Sequence, residues 1–454
     1  WDFRHEDTAE RDCSAGVWAS PRMEETETTN KAEQEGRLLE QILSSENMER
    51  AIKRVKSNKG AKGVDGMTVD DLDRWLAEQE DALRQSLLDG KYRPQPVRRV
   101  DIPKDKGKTR PLGIPTVVDR TIQQAICQVL SPIYEQQFSD SSYGFRPQRG
   151  AHDALKQCVH YITDGYRWVV DMDLEKFFDT VNQSKLIQLL SNTVKDGRVV
   201  SLVHKYLRAG IMVNGMFEES YTGVPQGGPL SPLLGNVMLH ECDCELESRG
   251  HRFVRYADDL MIFCKTKRAA ERVLASITKF IEGKLYLKVN REKTVVAYIG
   301  DVKFLGYGFY VKDGEGQLRV HPASVEKLKG KLRYLTRRSN GMSIQGRKEK
   351  LNQLIRGWIN YFKLANMKTL LERLDAWLRR RLRMVTWKRW KRVRTRFTNL
   401  KKAGVEAGKA WEWANTRKGY WRIAGSWIMT RALPNSLFEK AGYLTLRGCF
   451  ANAM

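Results

Sequence analysis

The sequence predicts an α+β fold over its first two thirds, followed by an all-helical, basic region. Short apolar runs bounded by turn residues, such as Trp168 to Leu174, are typical of strands. Apolar residues at helical spacing, as between Asp119 and Tyr134, occur among them without the regular βαβα order of a doubly wound sheet. From about residue 322 onward the pattern is helical throughout.

Charge and composition indicate a globular protein with a polyanionic partner. The chain has 454 residues, is 41% hydrophobic and carries a net charge of +25. Residues 1–35 contain ten acidic and four basic residues, so the positive excess lies in the rest of the chain. Nucleic acid is the leading partner, and an anionic membrane surface is the alternative.

Several classes of protein are disfavoured by the same composition. No apolar run approaches the ~20 residues needed to span a bilayer, and no signal peptide is evident. The seven cysteines are scattered and form no CxxC pair, which argues against a disulfide framework or a zinc site. We therefore expect a reducing, cytoplasmic location and no membrane partner.

The first elements follow from local signals. Residues 1–36 are acidic and lack periodicity, which predicts disorder. A helix is expected to begin around Ser45 and to end near Gly60. Residues 98–115 read as two short strands joined by a basic turn, Lys104 to Lys108, and Asp119 to Tyr134 reads as a helix.

The middle and final elements follow in the same way. A buried strand from Trp168 to Leu174 is expected to pass into a helix near Glu175. Residues 223–239 form a loop rich in Gly and Pro that feeds an apolar helix, with Pro232 in its first turn. Two helical stripes follow, and they consist of Leu351, Leu354, Ile355, Trp358 and Phe362, and of Leu371, Leu374, Leu378, Leu382 and Val385.

Two adjacent acids stand out between the apolar runs Phe253-Val254 and Leu260 to Phe263. Asp258 and Asp259 are expected in the tight turn of a β-hairpin. Two carboxylates at the end of buried strands are costly unless a cation neutralises them, and hard oxygen ligands suit Mg²⁺. The alternative is an ordinary solvated Asp-Asp turn.

A third carboxylate ends the strand that begins at Trp168. Asp173 is one candidate and Asp171 is its rival, because residues two apart on a strand share a face. Three carboxylates from two strands of one sheet are able to hold two metal ions for in-line nucleotidyl transfer. Asp179, on the following helix, is expected to be structural.

Eight segments of the chain resemble sequence blocks of reverse transcriptases, and more narrowly those of bacterial group II intron-encoded reverse transcriptases with maturase activity. The matching segments are Asp173 to Asp179 (DLEKFFD), Val224 to Pro232 (VPQGGPLSP), Tyr256 to Asp259 (YADD), Arg110 to Pro115 (RPLGIP), Tyr143 to Pro147 (YGFRP), Val289 to Thr294 (VNREKT), Phe304 to Tyr307 (FLGY) and Arg356 to Phe362 (RGWINYF). The resemblance covers roughly residues 37–395.

The resemblance implies a right-hand polymerase, with an antiparallel palm sheet and an all-α thumb or maturase X domain. The boundaries that we predict are a disordered acidic extension over 1–36, fingers with an N-terminal extension motif over 37–165, a palm with the catalytic carboxylates over 166–321, a thumb over 322–396 and a short basic C-terminal segment, a candidate DNA-binding segment, over 397–454.

The resemblance also implies the catalytic and metal-binding residues. In the family pattern the strand acid is Asp173, not Asp171, and it acts with Asp258 and Asp259. Leu174, which directly follows Asp173, is counted with these three at the metal site. The implied cofactor is Mg²⁺, for which Mn²⁺ is able to substitute because it accepts the same oxygen ligands.

Four further residues match family positions at the nucleotide pocket. Phe178 corresponds to the ring under the sugar that disfavours a 2′-hydroxyl, and its alternative is core packing. Lys104 and Arg110 match residues that contact the triphosphate, and their alternative is a solvated basic hairpin. Gln226 matches a residue lining the pocket, and Lys293 resembles a family lysine near the palm.

The basic thumb has two interpretations. The first is a nucleic-acid grip, with cations on phosphates and indoles against bases or sugars. The second is a solvated basic face whose tryptophans turn to a core. We favour the grip, and its candidate residues are Arg356, Arg379, Arg380, Arg381, Arg383, Lys388 and Arg389.

The implied function is RNA-directed DNA polymerase activity together with binding of group II intron RNA to assist splicing and mobility. The implied partners are that intron RNA, an RNA template with a DNA primer, dNTPs and target DNA, in a bacterial, nucleoid- or RNP-associated setting. No Cys-pair/His cluster of an HNH endonuclease follows the thumb, so we expect insertion at pre-existing DNA ends or single strands. The alternatives are a group II-like reverse transcriptase in repair or phage defence, and a binding-only maturase.

Overall fold

The computed structural model describes residues 37–103 and 109–453. The predictions on residues 1–36 and on the turn that contains Lys104 lie outside the described residues. The described chain divides into two compact units, one ending at Ile299 and the other beginning at Gly300. The domain boundaries given above remain predictions.

The first unit combines helices with two four-stranded sheets. Its helices are Leu38–Ile42, Ser45–Ser57, Leu72–Leu88, Val117–Glu135, Ala151–Thr163, Phe177–Thr180, Gln183–Thr193, Gly197–Arg208, Ser231–Ser248 and Lys267–Lys284. Its strands are β1 (Val97–Pro103), β2 (Thr109–Ile114), β3 (Trp168–Met172), β4 (Ile211–Val213), β5 (Met216–Glu218), β6 (Arg252–Tyr256), β7 (Asp259–Cys264) and β8 (Val295–Tyr298).

Side-chain caps fix where two of the predicted helices begin. The Ser44 hydroxyl accepts a hydrogen bond from the main-chain N–H of Asn47, so a helix begins at Ser45 as expected. Thr116 caps the next predicted helix in the same way, by accepting from the N–H of Asp119. The predictions of these two helices are confirmed.

The first sheet carries the basic hairpin and has the strand order β2-β1-β4-β5. Strands β1 and β2 are antiparallel, with Pro103 opposite Thr109 at the end that leads to the turn. Strand β1 is parallel to β4, and β4 and β5 form a second short hairpin. The two predicted strands of residues 98–115 are therefore confirmed.

The second sheet is fully antiparallel, with the order β6-β7-β3-β8. Its central strand β3 is covered on both faces, and Val169 and Val170 are fully buried. This explains why β3 reads as a continuous apolar run and not as an alternating one. The strand ends at Met172, two residues before the predicted end.

The second unit opens with a three-stranded sheet and is helical from Pro322. Its strands are β9 (Lys303–Phe304), β10 (Tyr307–Lys312) and β11 (Glu315–Val320), in the order β11-β10-β9. Its helices are Pro322–Leu335, Ile344–Phe362, Lys368–Arg389, Val393–Lys402, Ala407–Ala414, Tyr420–Ala424, Trp427–Ala432, Asn435–Lys440 and Leu446–Ala453. The two predicted apolar stripes lie on Ile344–Phe362 and Lys368–Arg389, where most of their members are buried.

The C-terminal helices pack back onto the long helix Lys368–Arg389. The Asp375 carboxylate accepts from the main-chain N–H groups of Leu446 and Arg447, at 2.8 and 2.9 Å, and so caps the last helix. The final segment is therefore part of the packing of this unit. Across the described residues, no helix combines the length and apolar character that crossing a membrane requires.

Candidate active site

The two adjacent acids lie at the connection between β6 and β7. Tyr256 pairs with Asp259, so the turn consists of Ala257 and Asp258 alone. Asp259 is the first residue of β7, and Ala257 has φ +57°, a left-handed backbone that L-residues other than glycine rarely adopt. The predicted hairpin is confirmed, with Asp258 in its turn and Asp259 at the first position of the following strand and not in the turn.

The end of β3 lies beside this turn. Met172 is opposite Leu260 in the β3–β7 register, so the chain leaves the sheet at Asp173 next to the start of β7. Burial, with a smaller contribution from the negative charges of Asp259 and Asp173, raises the pKa of Asp171 to about 6. The Asp171 carboxylate is therefore close enough to both Asp259 and Asp173 to be affected by their charges.

Lys293 is the partner of Asp173. Its Nζ donates to Asp173 Oδ2 at 2.8 Å, and the N–H of Asn290 donates to the Asp173 carbonyl at 2.9 Å. The N–H of Asp173 in turn donates to the Thr294 hydroxyl at 3.2 Å. Residues 289–294 therefore fix the end of β3, and this is the structural role of the VNREKT block.

Carboxylate oxygens of the kind found at this site suit hard divalent cations, although the side chains are not grouped closely enough to bind one. Among residues 37–103 and 109–453, no three His, Cys, Asp or Glu side chains are grouped closely enough to hold a metal ion. Burial is the main cause of the raised pKa of Asp171, and a bound cation would offset the additional repulsion from Asp259 and Asp173. Asp173 would then exchange Lys293 for that cation. Leu174 has a buried apolar side chain, so its predicted place at the metal site would fall to its carbonyl oxygen alone.

Phe178 and Asp179 each form a hydrogen bond with the loop that carries Gln226. The Phe178 carbonyl accepts from the N–H of Val224 at 2.6 Å, and its half-buried ring packs on Phe177 with centroids 4.9 Å apart. Gln226 Nε2 donates to Asp179 Oδ1 at 3.2 Å. Asp179, expected to be structural, thereby orients the side chain of Gln226.

Arg110 is exposed on β2, opposite Ile102. Three residues further along the same strand, the N–H of Gly113 donates to the carbonyl of Gln226 at 2.7 Å. A side chain at Gly227 would meet the Gly113 carbonyl, because its Cβ would lie 2.7 Å away. The basic hairpin is therefore attached directly to the loop that carries Gln226.

The YGFRP block packs against the acidic turn. The N–H of Tyr143 donates to the carbonyl of Arg255 at 2.9 Å, and the N–H of Arg255 donates to Ser141. Any Cβ at Gly144 would lie 2.2 Å from the nitrogen of Ala257. Glycine is thus required at this position by close approach to the acidic turn.

Two of the arginines proposed for nucleic-acid binding are buried, and the prediction is wrong for them. Arg379 is 2% exposed and donates to the carbonyls of Tyr443 and Leu444. Arg383 is 7% exposed and donates to the Leu433 carbonyl at 2.9 Å. Both hold the C-terminal helices in place, so their guanidinium groups do not reach a phosphate.

Two neighbouring arginines are half-buried and have similar partners. Arg380 lies over the Trp421 ring, 4.1 Å from its centroid, and donates to the Trp421 carbonyl. Arg381 donates to the hydroxyl of Thr336 at 2.5 Å and lies over Trp377. The remaining candidates, Arg356, Lys388 and Arg389, are exposed, and their role remains a prediction.

Sequence reasoning missed a buried polar network behind the turn. Arg255, Asp243 and Asn236 are all buried, and the Arg255 guanidinium donates to both of the others. A signal was present in the sequence, because Arg255 interrupts an apolar strand and Asp243 lies in a largely apolar helix. A charge inside a buried strand requires a partner, which periodicity alone does not identify.

The fold and the carboxylate turn define the class of protein. Residues 102–309 match the family model described as reverse transcriptase (RNA-dependent DNA polymerase). Residues 325–404 match the group II intron, maturase-specific domain. The protein is therefore an RNA-directed DNA polymerase by class, and this class uses divalent metal ions.

The relatives narrow the class to one family. The chain is 36% identical to Protein YkfC of Escherichia coli K12 over 326 residues, which are 63% of this chain and 86% of that protein. It is 32% identical to the group II intron-encoded protein LtrA of Lactococcus lactis subsp. cremoris over 371 residues, 67% of this chain and 60% of LtrA. The chain belongs to the group II intron-encoded reverse transcriptases and maturases. It spans less than two thirds of the length of LtrA.

Proposed function

We propose that this protein extends a DNA primer on an RNA template by two-metal nucleotidyl transfer, and that it binds group II intron RNA to assist splicing and mobility. The observation that carries the proposal is the juxtaposition of Asp173, at the end of β3, with the turn that bears Asp258 and Asp259. The cofactor we propose is Mg²⁺, with Mn²⁺ as a substitute.

Asp173, Asp258 and Asp259 would hold the two cations, which when bound favour ionisation of the primer 3′-hydroxyl and departure of pyrophosphate. Before substrate binds, Lys293 neutralises Asp173 through its 2.8 Å contact. Gln226, oriented by Asp179, lines the nucleotide pocket, and the Phe178 ring excludes a 2′-hydroxyl. Arg110, with Lys104, offsets charge on the triphosphate.

The proposed nucleic-acid contacts are electrostatic in the thumb and partly aromatic in the C-terminal segment. Arg356, Lys388 and Arg389 are exposed cations that suit a phosphate backbone. Trp411 and Trp427 are 56% and 52% exposed, and Lys409 lies 5.5 Å from the Trp427 ring centroid. Exposed indoles beside lysines suit stacking with bases, which supports a DNA- or RNA-binding role for residues 397–454. We propose that the protein acts with its intron RNA in the bacterial cytoplasm.

The test is primer extension on poly(rA)/oligo(dT) with dTTP and Mg²⁺. The wild type should extend the primer. Asp258→Ala should lose extension by roughly a thousandfold or more, because a ligand of the reacting centre is removed. The control is Asp70→Ala, which removes an exposed turn acid outside both sheets and should extend like the wild type.

Splicing assistance separates the alternatives. Asp258→Ala should still bind intron RNA and assist splicing, because binding does not use this carboxylate. If the wild type bound intron RNA tightly without extending any primer, a binding-only maturase would replace our proposal. Persistent extension by Asp258→Ala would contradict the assignment of the metal ligands.

A further inference from the structure

A charged residue is buried directly behind the catalytic turn. Arg255 lies in β6 and is 1% exposed, and its ion-pair partner Asp243 is fully buried in the helix Ser231–Ser248. The contact is bidentate, with Nε to Oδ1 at 2.7 Å and Nη2 to Oδ2 at 2.5 Å. A pair so deeply buried is retained only where its hydrogen bonds are complete.

The remaining donor of this arginine reaches the turn itself. Arg255 Nη1 donates to the carbonyl of Ala257 at 3.0 Å and to Asn236 Oδ1 at 2.9 Å. The other end of Asn236, its Nδ2, donates to the carbonyl of Gly144 at 2.9 Å. One guanidinium thus connects the helix Ser231–Ser248 with the turn, and one amide extends that connection to the YGFRP block.

The turn needs such support because of its backbone. Ala257 has φ +57°, and a non-glycine residue keeps a left-handed conformation only when its surroundings enforce it. The Arg255 bond fixes the carbonyl of that residue, and Gly144 packs closely against the Ala257 nitrogen. The direction in which Asp258 and Asp259 leave the turn depends on this residue.

We infer that Arg255 is a positioning residue for the carboxylates of the turn, held in place by Asp243 and Asn236. The inference rests on the proposed function, because it assigns a role relative to Asp258 and Asp259. The network acts at the Ala257 carbonyl and touches no substrate. Removing it should allow the turn to relax and move the two carboxylates from the geometry that binds cations.

A purely structural role predicts a different outcome. Replacing both members of a buried ion pair with apolar residues of similar volume is often neutral or stabilising. The double variant Asp243→Leu/Arg255→Met therefore separates the two roles, because it keeps the interior filled but gives the Ala257 carbonyl no donor. A second double variant, Asp243→Asn/Arg255→Met, removes the same donor with a smaller change at position 243 and is available if the first does not fold.

The experiment combines two readouts on the full chain. Primer extension gives kcat and the KM for dTTP, and electron paramagnetic resonance of free Mn²⁺ gives the affinity for the metal alone. We expect the double variant to melt near the wild-type temperature, with kcat lowered about a hundredfold, KM changed less than about threefold and Mn²⁺ bound about tenfold more weakly. Arg255→Lys, which keeps one cationic donor, should recover part of the loss.

The matched control is Arg347→Met in the second unit. Arg347 is also a buried arginine, and it donates to the Leu335 carbonyl and to Asn340 Oδ1. Its loss should lower the melting temperature and leave Mn²⁺ affinity unchanged. The inference is overturned if the folded double variant, or Asp243→Asn/Arg255→Met in its place, retains kcat and Mn²⁺ affinity within about twofold of the wild type. Should the wild type extend no primer, the proposed function fails, and the comparison of Mn²⁺ affinities still decides the role of Arg255.

Discussion

Phe178 is the residue on which sugar selection is expected to depend. Its half-buried ring packs against Phe177 and lies 3.2 Å from the position that a Cβ at Gly235 would take. Phe178→Ala should open space beside the 2′ carbon of the incoming nucleotide and raise ribonucleotide incorporation relative to dNTPs about tenfold or more. The measurement is the ratio of kcat/KM for rUTP and dTTP on poly(rA).

The control for this substitution is the neighbouring ring. Phe177→Leu removes packing from the same small helix, and we expect it to leave the ratio unchanged because Phe177 is 3% exposed and turned to the core. If Phe178→Ala discriminated between the sugars as well as the wild type does, the ring would be a core residue only.

The burial of the His240 imidazole is expected to make the free energy of unfolding depend on pH. Burial lowers the pKa of this imidazole below its ordinary value of 6.5, and Asp243 opposes the change in part. The unfolded chain therefore binds more protons at mildly acidic pH, so stability is complete above pH 6.5 and is lost as the pH falls through 6.5 toward the lowered pKa. His240→Gln should flatten the loss of unfolding free energy between about pH 7 and pH 5.

Chemical denaturation at a series of pH values gives this slope directly. At about pH 8 the imidazole is neutral in both states, so any difference there reports only the packing that Gln loses against Phe138. Wild-type and variant curves that run parallel down to pH 5 would show that His240 does not contribute.

The helix Lys368–Arg389 carries both buried and exposed cations. Arg379 and Arg383 face the C-terminal helices, while Lys388 and Arg389, in the last turn, are exposed. Lysines and arginines near a helix C-terminus also interact favourably with the helix dipole. Phosphate contacts from this helix are therefore expected at its end and not along its middle.

Lys388→Gln together with Arg389→Gln should weaken RNA binding and reduce the slope of log K against log salt by roughly 1.5, as expected for two lost phosphate contacts. Arg383→Met should leave that slope unchanged and lower the free energy of unfolding by about 1–3 kcal/mol, because the Leu433 carbonyl loses its buried donor. Filter binding between 50 and 300 mM salt and thermal melts make the comparison. If the slope fell for Arg383→Met alone, Arg383 would contact a phosphate after all.

At the scale of the whole molecule, local signals explain what could be predicted from the sequence. The β6–β7 hairpin, the β1–β2 strands and the helix capped by Thr116 depend on residues close together in the chain. Their apolar periodicity, caps and turn residues are visible without tertiary information. The position of the two acids at the β6–β7 connection could be predicted from the sequence for the same reason.

What could not be predicted depends on distant partners. Arg379 is buried because residues 443 and 444, more than 60 positions later, supply its acceptors. The pairs Lys293–Asp173 and Arg255–Asp243 likewise join separate elements. Helical periodicity identifies the apolar stripe of an element, but it does not reveal which later segment covers the adjacent polar residues.

The order of strands in the second sheet has a consequence during synthesis. Strand β3 pairs with β7 and β8, and β8 begins about 120 residues after β3 ends. A ribosome adds about 5–20 residues per second, so β8 is synthesised roughly 6–25 s after β3. Throughout that interval the edge of β3 that pairs with β8 is an unpaired apolar edge, as in an aggregation-prone segment. The nascent chain is therefore expected to need chaperone protection until translation has passed Tyr298.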